Sequence, residues 1–261
     1  TRCSAVTTKA GALGFYQARS HKIIPVDDCR ILVPEMHYSE LAQRGAKGDQ
    51  RIEISISNTG ERTIATANAR DESPLRVSDG PDVAHYTVGE NSFEVSQKSF
   101  WQSHKDAPRV LTDAVLQYAQ LREGEHVLDL YGGVGLFAAS FLSHVGETGS
   151  VDIVEGSKSA TADAARNFAG KSNVHIYTGD VARLITRFSS ADVIVLDPPR
   201  EGAGKEVAAH CAQLKPRAIV YVACDPAALA RDTGYLRDAG YQLETMRAFD
   251  LFPMTHHIES V

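Results

Sequence analysis

One cysteine occupies a position where it could act as a nucleophile. Cys224 follows the apolar run Ala218–Ala223, predicted to be a strand, and precedes a helix predicted over Ala227–Ala239. The N-terminus of a helix stabilises negative charge, so this position favours the reactive thiolate. A lone cysteine is more commonly a small buried residue, and Cys211 fits that description. Its position makes Cys224 the candidate nucleophile.

The end of the chain supplies candidates for a general base. His256 and His257 are adjacent, and Glu259 follows two residues later. Both imidazoles and carboxylates accept protons in active sites, so the residues alone leave His257 and Glu259 as equal candidates. A thiolate that adds to carbon 6 of a uracil makes carbon 5 nucleophilic, and a base must then remove the carbon 5 proton. No third ligand at a suitable spacing accompanies the histidines, so no metal site is predicted.

A glycine-rich turn follows the predicted strand His126–Leu130. Within it, Gly133 and Gly135 permit a tight turn and a close approach of a ligand to the backbone. Glu155 lies at the end of the next strand, where an acidic residue binds the ribose of an adenosine ligand. NAD and S-adenosylmethionine both present such a ribose, so the turn predicts a nucleotide-like ligand without choosing between them.

A pair of prolines indicates which of these two ligands the site binds. Asp197-Pro198-Pro199-Arg200 ends the strand predicted over Asp192–Leu196, and the fixed φ angles of the prolines stiffen the loop above the crevice. An acid followed by two prolines is typical of methyltransferases that act on a planar base or amide, so S-adenosylmethionine is preferred over NAD. Arg200 stands where methyltransferases of exocyclic amines typically have an aromatic residue, which disfavours that alternative.

Together these motifs resemble the uracil-5 RNA methyltransferases, which make 5-methyluridine in tRNA or large-subunit rRNA. In the family's order, the resemblance is carried by Phe100-Trp101-Gln102, the segment Asp129 to Gly135, Asp197 to Arg200, Cys224-Asp225-Pro226 and His257-Ile258-Glu259. It covers residues from about 90 to 261. It implies a methyl transfer from S-adenosylmethionine to carbon 5 of a specific uridine through a covalent cysteine adduct. Cys224 would be the nucleophile, and Glu259 rather than His257 would accept the proton.

The resemblance also implies which residues surround the methyl donor. Besides Gly133 and Gly135 of the turn, they are Gln102, Tyr131, Leu136, Glu155, Asp180 and Asp197. Leu136 departs from the asparagine that is frequent there, so a polar contact is lost or moves to the backbone. Asp180 suits the amino group of an adenine, although a solvated turn residue is its alternative.

Some features of the family are not evident in this chain. Members commonly have an amino-terminal oligonucleotide-binding barrel, and some hold an iron–sulfur cluster on four cysteines. Only Cys29 stands where a cluster cysteine is expected, so no cluster is predicted. The chain stops two residues after Glu259, where the family's last strand continues, and a fragment is therefore expected.

The elements that must position these residues fall into two segments. Residues 1–98 predict a small β-rich α+β domain that helps to grip RNA, with strands over Lys22–Val26, Arg51–Ser57, Thr63–Thr66 and His85–Val88 and a helix over Ile31–Arg44. Residues 99–261 predict an α/β fold, a doubly wound Rossmann-like class I methyltransferase domain. It begins with a helix over residues 107–118. Its strands are His126–Leu130, Ser150–Val154, Val174–Tyr177, Asp192–Leu196 and Ala218–Ala223, with an edge strand over Tyr241–Asp250.

Composition narrows the class of protein further. The 261 residues are 43% hydrophobic and 23% charged, which is ordinary for a globular protein, and the net charge is −6. Before Asp27, however, the chain has Arg2, Lys9, Arg19 and Lys22 and no acidic residue, which predicts a surface that faces phosphates. RNA is therefore the expected partner, with no membrane and no obligate protein partner evident. A catalytically silent RNA-binding protein of the same fold remains an alternative.

Cysteine spacing and hydropathy predict the compartment. Cys3, Cys29, Cys211 and Cys224 show no C-x-x-C pairing, which argues against a disulfide framework or a zinc site. No run of about 18 apolar residues is present, and the start lacks the apolar core of a signal peptide. A reducing cytoplasm is the expected location.

Overall fold

The computed structural model describes residues 1–70 and 73–261, which divide into two compact units. The first unit comprises Thr1–Thr87 and Glu94–Lys105, and the second comprises Val88–Phe93 and Asp106–Val261. Residues 99–105, which the sequence assigns to the second domain, therefore group with the first unit. Among the described residues, no helix is long and apolar enough to span a bilayer.

The first unit contains an antiparallel sheet and one short helix. Its elements are β1 (Arg2–Thr7), β2 (Leu13–Tyr16), β3 (Ile23–Pro25), α1 (Tyr38–Arg44), β4 (Gln50–Ile56), β5 (Arg62–Asn68) and β6 (Arg76–Asp79). The paired strands β7 (Val83–Val88) and β8 (Asn91–Ser96) follow, and of these strands residues 88 and 91–93 belong to the second unit. The six-stranded sheet has the order β3-β2-β1-β4-β5-β6. Alternate residues Ile52, Ile54 and Ile56 of β4 are buried, as the period of two in this segment predicts. Strands β1, β2, β6 and β8 are not predicted by the sequence.

The helix predicted over Ile31–Arg44 is wrong in its first half. Only Tyr38–Arg44 is α-helical, and a short 3₁₀ turn spans Pro34–Met36. Val33 precedes a proline, which disfavours helical backbone, and is extended with ψ 138°. His37 has φ 52° in the left-handed region and separates the turn from the helix.

The basic opening segment is used in two ways. Arg2 donates hydrogen bonds to the carbonyl oxygens of Ser99 (2.7 Å) and Gln97 (2.9 Å), so its guanidinium stabilises the first unit. Lys9, Arg19 and Lys22 are exposed. The predicted phosphate-facing surface therefore rests on these three side chains and not on Arg2.

The second unit alternates strands and helices. Its elements are α2 (Ala107–Ala119), β9 (His126–Leu130), α3 (Leu136–Val145), β10 (Ser150–Glu155), α4 (Lys158–Asn167), β11 (Val174–Thr178), α5 (Val181–Leu184), β12 (Val193–Leu196), α6 (Gly204–Gln213), β13 (Ala218–Tyr221), α7 (Pro226–Asp238), β14 (Ala248–Phe249) and β15 (Glu259–Ser260). A 3₁₀ turn, Ile185–Arg187, follows α5.

A five-stranded parallel sheet is the centre of this unit. Its order is β11-β10-β9-β12-β13, so the chain runs outward from β9 to one edge and then returns to the other side. Leu128, Leu130, Ile194 and Leu196 pack in one core with residues of α5 and α6. The predicted α/β alternation is confirmed, and because all five strands are parallel, their carboxyl ends lie at one edge of the sheet.

The strand predicted over Tyr241–Asp250 is much shorter in the structure. Only Ala248–Phe249 forms a strand, and it pairs with Glu259–Ser260 in antiparallel register. Most side chains from Gln242 to Arg247 are exposed, so the alternating pattern there does not reflect one buried face. The alternation was too weak to predict which residues pair.

Candidate active site

The turn after β9 has a backbone that requires glycine. Gly133 has φ 56° and Gly135 has φ 92°, both in the left-handed region. A Cβ atom on Gly135 would lie 2.2 Å from the ring of Phe168, so no larger residue fits there. A Cβ on Gly133 would meet no atom within 4 Å, so the turn has open space on that side. Tyr131, also left-handed with φ 62°, begins the turn.

Glu155 at the end of β10 is bound to this turn. Its Oε2 accepts a hydrogen bond from the backbone N–H of Gly133 at 3.0 Å, and its Oε1 accepts one from Ser157 at 2.6 Å. Each carboxylate oxygen has further lone pairs for a ligand hydroxyl. The structure therefore brings together two residues that the sequence predicts to hold one ligand.

Asp129 is a buried carboxyl group that the sequence analysis does not assign to the site. Its Oδ2 accepts a hydrogen bond from the N–H of Ala138 at 3.2 Å, while Oδ1 is buried without a partner among the described residues. Burial raises the pKa of Asp129 to about 7, with a smaller contribution from the charge of Glu155. A charged residue inside an otherwise apolar buried strand was the pattern that could have indicated it.

Asp197, directly after β12, lies among the other carboxylates. Its pKa is raised well above the ordinary value, first by burial and then by the negative charges of Glu259, Asp129 and Glu155. The charges of three other acidic side chains thus reach Asp197 at the carboxyl edge of the sheet. Such a cluster favours a cationic ligand.

The remaining residues predicted to hold the donor differ in their surroundings. Leu136 begins α3 and is 8% exposed, so its side chain packs in the interior as an apolar residue should. Asp180 is exposed, and its Oδ1 caps α5 by accepting from the N–H of Arg183 at 2.9 Å. Gln102 is buried but belongs to the first unit, whereas the others belong to the second.

Cys224 and Glu259 are brought side by side by a short antiparallel bridge. The N–H of Ala223 donates to the carbonyl of Ser260 at 2.9 Å, and the N–H of Ser260 donates back at 2.8 Å. The next residues in this register are Cys224 and Glu259, and opposite residues of an antiparallel pair have Cβ atoms roughly 5 Å apart. The candidate nucleophile and base, distant in sequence, therefore meet beside Asp197.

The thiolate that the helix N-terminus is expected to favour at Cys224 is disfavoured in the structure. Its pKa is raised, first by burial and then by the negative charges of Glu259 and Asp197. The positive charge of Arg200 works in the opposite direction but does not outweigh them. Cys224 also precedes the residue that caps α7, since Asp225 accepts from the N–H of Ala228 at 2.8 Å. Burial first, and then the neighbouring carboxylates, thus outweigh the helix terminus.

Glu259 has the properties of a buried base. It is 5% exposed, and its Oε2 has no hydrogen-bond partner among the described residues. Burial raises its pKa to about 7, so near neutral pH the group exchanges a proton readily. His257 is half-buried and its pKa is lowered by burial and then by the charges of Arg200 and His256.

Glu259→Gln is expected to stabilise the protein at pH 8 and not at pH 4. The pKa of Glu259 in the folded protein, about 7, lies above its ordinary value of 4.5. The contribution of this group to the free energy of unfolding is therefore greatest below pH 4.5 and falls as the pH rises to about 7. Removal of this charge recovers free energy of unfolding on the order of 3 kcal/mol at pH 8. Urea unfolding at both pH values measures this. Glu244→Gln, an exposed control, should leave the free energy of unfolding unchanged at pH 4 and at pH 8. Equal stability of Glu259→Gln and the unaltered protein at pH 8 would contradict the prediction.

Two protein-family profiles and several relatives match this chain. A family profile described as tRNA (Uracil-5-)-methyltransferase matches residues 182–261, and one described as Methyltransferase small domain matches residues 103–218. An uncharacterised RNA methyltransferase of Streptomyces avermitilis is 38% identical over an alignment that covers 100% of this chain and 66% of the relative. One of Caldanaerobacter subterraneus is 31% identical, with 95% and 67% covered.

A solved structure supports the fold. The tRNA (uracil-54, C5)-methyltransferase of Pyrococcus abyssi, in complex with S-adenosyl-L-homocysteine, has a TM-score of 0.74 and 21% identity, over 99% of this chain and 73% of that one. This chain spans 66% of the length of the Streptomyces avermitilis relative and 62% of the length of an uncharacterised RNA methyltransferase of Streptomyces coelicolor, to which it is 38% identical.

The parallel sheet, its glycine turn and these matches define a class I S-adenosylmethionine-dependent methyltransferase fold, as predicted. Within this class, the chain belongs to a family of RNA methyltransferases, and its residues 182–261 match the tRNA (Uracil-5-)-methyltransferase profile. The dinucleotide oxidoreductase considered from the glycine turn is therefore not retained.

Proposed function

We propose that this chain transfers a methyl group from S-adenosylmethionine to carbon 5 of a uridine in rRNA or tRNA. The observation that carries the proposal is the pairing of Cys224 with the buried Glu259 at the carboxyl edge of the sheet, beside Asp197. Methylation of an exocyclic amine needs no such nucleophile. The RNA substrate and the four free cysteines favour a cytoplasmic location.

The site suits the methyl donor. The open side of the glycine turn admits an adenosine, and Glu155 has lone pairs for its ribose hydroxyls. The unpartnered Oδ1 of Asp129 and the carboxyl group of Asp197 favour a ligand that carries positive charge, as a sulfonium does. When bound, S-adenosylmethionine supplies an electrophilic methyl group on that sulfonium.

The chemistry begins at Cys224. Its thiol, protonated at rest, loses a proton to solvent, and the thiolate adds to carbon 6 of the uracil. The electron pair of the 5,6 double bond moves to oxygen 4, which gives an enolate. Carbon 5 of the enolate then takes the methyl group, and S-adenosylhomocysteine leaves as the neutral thioether.

Glu259 completes the reaction. Its carboxylate removes the proton from carbon 5, the 5,6 double bond forms again, and the thiolate of Cys224 leaves carbon 6. The proton on Glu259 returns to solvent, and the thiolate of Cys224 regains a proton from solvent. The net change converts uridine and S-adenosylmethionine into 5-methyluridine, S-adenosylhomocysteine and one proton. A base must be taken out of the RNA stack for this chemistry.

Methyl transfer to separate tRNA and rRNA pools that lack 5-methyluridine tests the proposal. Radiolabelled S-adenosylmethionine and nucleoside analysis should show label in 5-methyluridine from one of the pools. Label in a base methylated on nitrogen would contradict the proposal. Donor binding without transfer to either pool would instead indicate a silent RNA-binding protein.

A further inference from the structure

A buried carboxylate on α7 has no part in this chemistry. Asp232 is fully buried, at 0% exposure, two turns after the start of the helix. A buried charge lowers the free energy of unfolding unless it is paired and hydrogen-bonded. Its partners therefore indicate why a carboxylate occupies this position.

The hydrogen-bond partners of Asp232 lie on α7, on β13 and at the start of α6, where Ala203 precedes the helix and Gly204 is its first residue. Its Oδ2 accepts hydrogen bonds from the N–H groups of Ala203 (2.8 Å) and Gly204 (3.1 Å). The same oxygen accepts from the hydroxyl of Tyr221 at 2.6 Å, and Oδ1 accepts from Arg231 at 2.8 Å. Burial opposes the charged form, but these hydrogen bonds outweigh it and hold the pKa of Asp232 below its ordinary value.

The turn is fitted closely to this carboxylate. Gly202 has φ 80°, and a Cβ atom there would lie 2.5 Å from Oδ2 of Asp232. The guanidinium of Arg231 also donates to the carbonyl oxygen of Glu201 at 2.6 Å. Residues 201–204 are thus bound to α7 through both backbone and side-chain hydrogen bonds.

This turn directly continues the loop that carries Asp197 and Arg200. Helix α7, which carries Asp232 on the other side of this contact with the turn, begins just after Cys224. We propose that Asp232 is a positioning residue, which holds the 201–204 turn against α7 and thereby fixes Asp197 and Arg200 relative to Cys224. The two prolines between Asp197 and Arg200 have fixed φ angles, so a shift of the turn is transmitted to both. The consequence for catalysis rests on the proposed function.

Asp232→Asn tests this role, with Asp238→Asn as the control. Asp238 is an exposed residue of the same helix that pairs with Arg237 alone among the described residues. In Asp232→Asn, amide hydrogen exchange at Ala203 and Gly204 should accelerate while the sheet stays protected. We expect kcat to fall about 10- to 100-fold, because small displacements of reacting groups are costly. The Kd for S-adenosylhomocysteine should rise by a smaller factor than kcat falls, since Asp197 adjoins the displaced turn but Gly133, Gly135 and Glu155 lie on other turns.

Two further measurements keep the test decisive. Gly202→Ala perturbs the same contact from the turn, so it should also lower kcat by a larger factor than it raises the Kd for S-adenosylhomocysteine. The rate at which iodoacetamide alkylates Cys224 should change in Asp232→Asn and not in Asp238→Asn, and this readout needs no RNA. If the unaltered protein methylates no RNA, the proposed function fails. The exchange and alkylation rates alone then decide whether Asp232 is a positioning residue. The positioning role of Asp232 would be overturned by unchanged amide exchange at Ala203 and Gly204. It would also be overturned if exchange becomes faster while the alkylation rate or kcat stays unchanged.

Discussion

Cys224→Ala is expected to abolish methyl transfer while donor binding is retained. Without a thiolate at carbon 6, carbon 5 of the uracil is not nucleophilic, so the rate should fall by about 10⁴-fold or more. The donor is expected to bind at the turn after β9 and at Glu155, which Cys224 does not contact by hydrogen bond. Single-turnover transfer of labelled methyl groups and calorimetry with S-adenosylhomocysteine measure the two properties separately.

Cys29→Ala is the matched control for this substitution. Cys29 is also free and half-buried, and it packs against the core of the first unit. Its replacement should leave the rate of methyl transfer unchanged. A Cys224→Ala protein with the activity of the unaltered chain would refute the covalent mechanism, because no addition to carbon 6 is then required.

Glu259→Gln is expected to trap the RNA on the protein. A glutamine amide cannot accept the carbon 5 proton, so the methylated base stays joined to Cys224 through carbon 6. With labelled S-adenosylmethionine, a band of protein and RNA should persist on a denaturing gel while free product falls by about 10²-fold or more. The adduct should disappear in the double variant with Cys224→Ala.

Glu244→Gln serves again as the control. Glu244 is an exposed residue between α7 and β14, and its replacement should give normal product and no trapped adduct. Normal product from Glu259→Gln without an adduct would show that another group removes the proton. His257, whose lowered pKa keeps it neutral near pH 7, would then be the candidate to test.

Local patterns were sufficient to predict the second unit. Short apolar runs separated by helical stretches predict parallel strands buried on both faces, and all five strands lie within two residues of their predicted ends. The first unit was harder. Leu13–Tyr16 is too short to show a period of two, and the proline at position 34 interrupts an apolar spacing that otherwise resembles a helix.

The chemistry was only partly determined by the sequence. The glycine turn and the acid at the end of β10 could be predicted together because the carboxyl ends of parallel strands share an edge. The position of Cys224 opposite Glu259 could not be predicted, since it depends on a bridge between residues 223 and 260. Sequence resemblance alone distinguished Glu259 from His257, and burial now gives Glu259 the raised pKa that suits a base.

The sequence by itself determined the alternation of strands and helices in the second unit and its glycine turn, and it supplied Cys224, His257 and Glu259 as candidate reactive groups, because these follow from local spacing and residue type. The tertiary structure decided the charge state of Cys224, the cluster of carboxylates around Asp197 and the attachment of the 201–204 turn to Asp232. Each of these depends on loss of water and on distances between segments far apart in the chain. Such quantities arise only when the chain is packed, so no local pattern contains them.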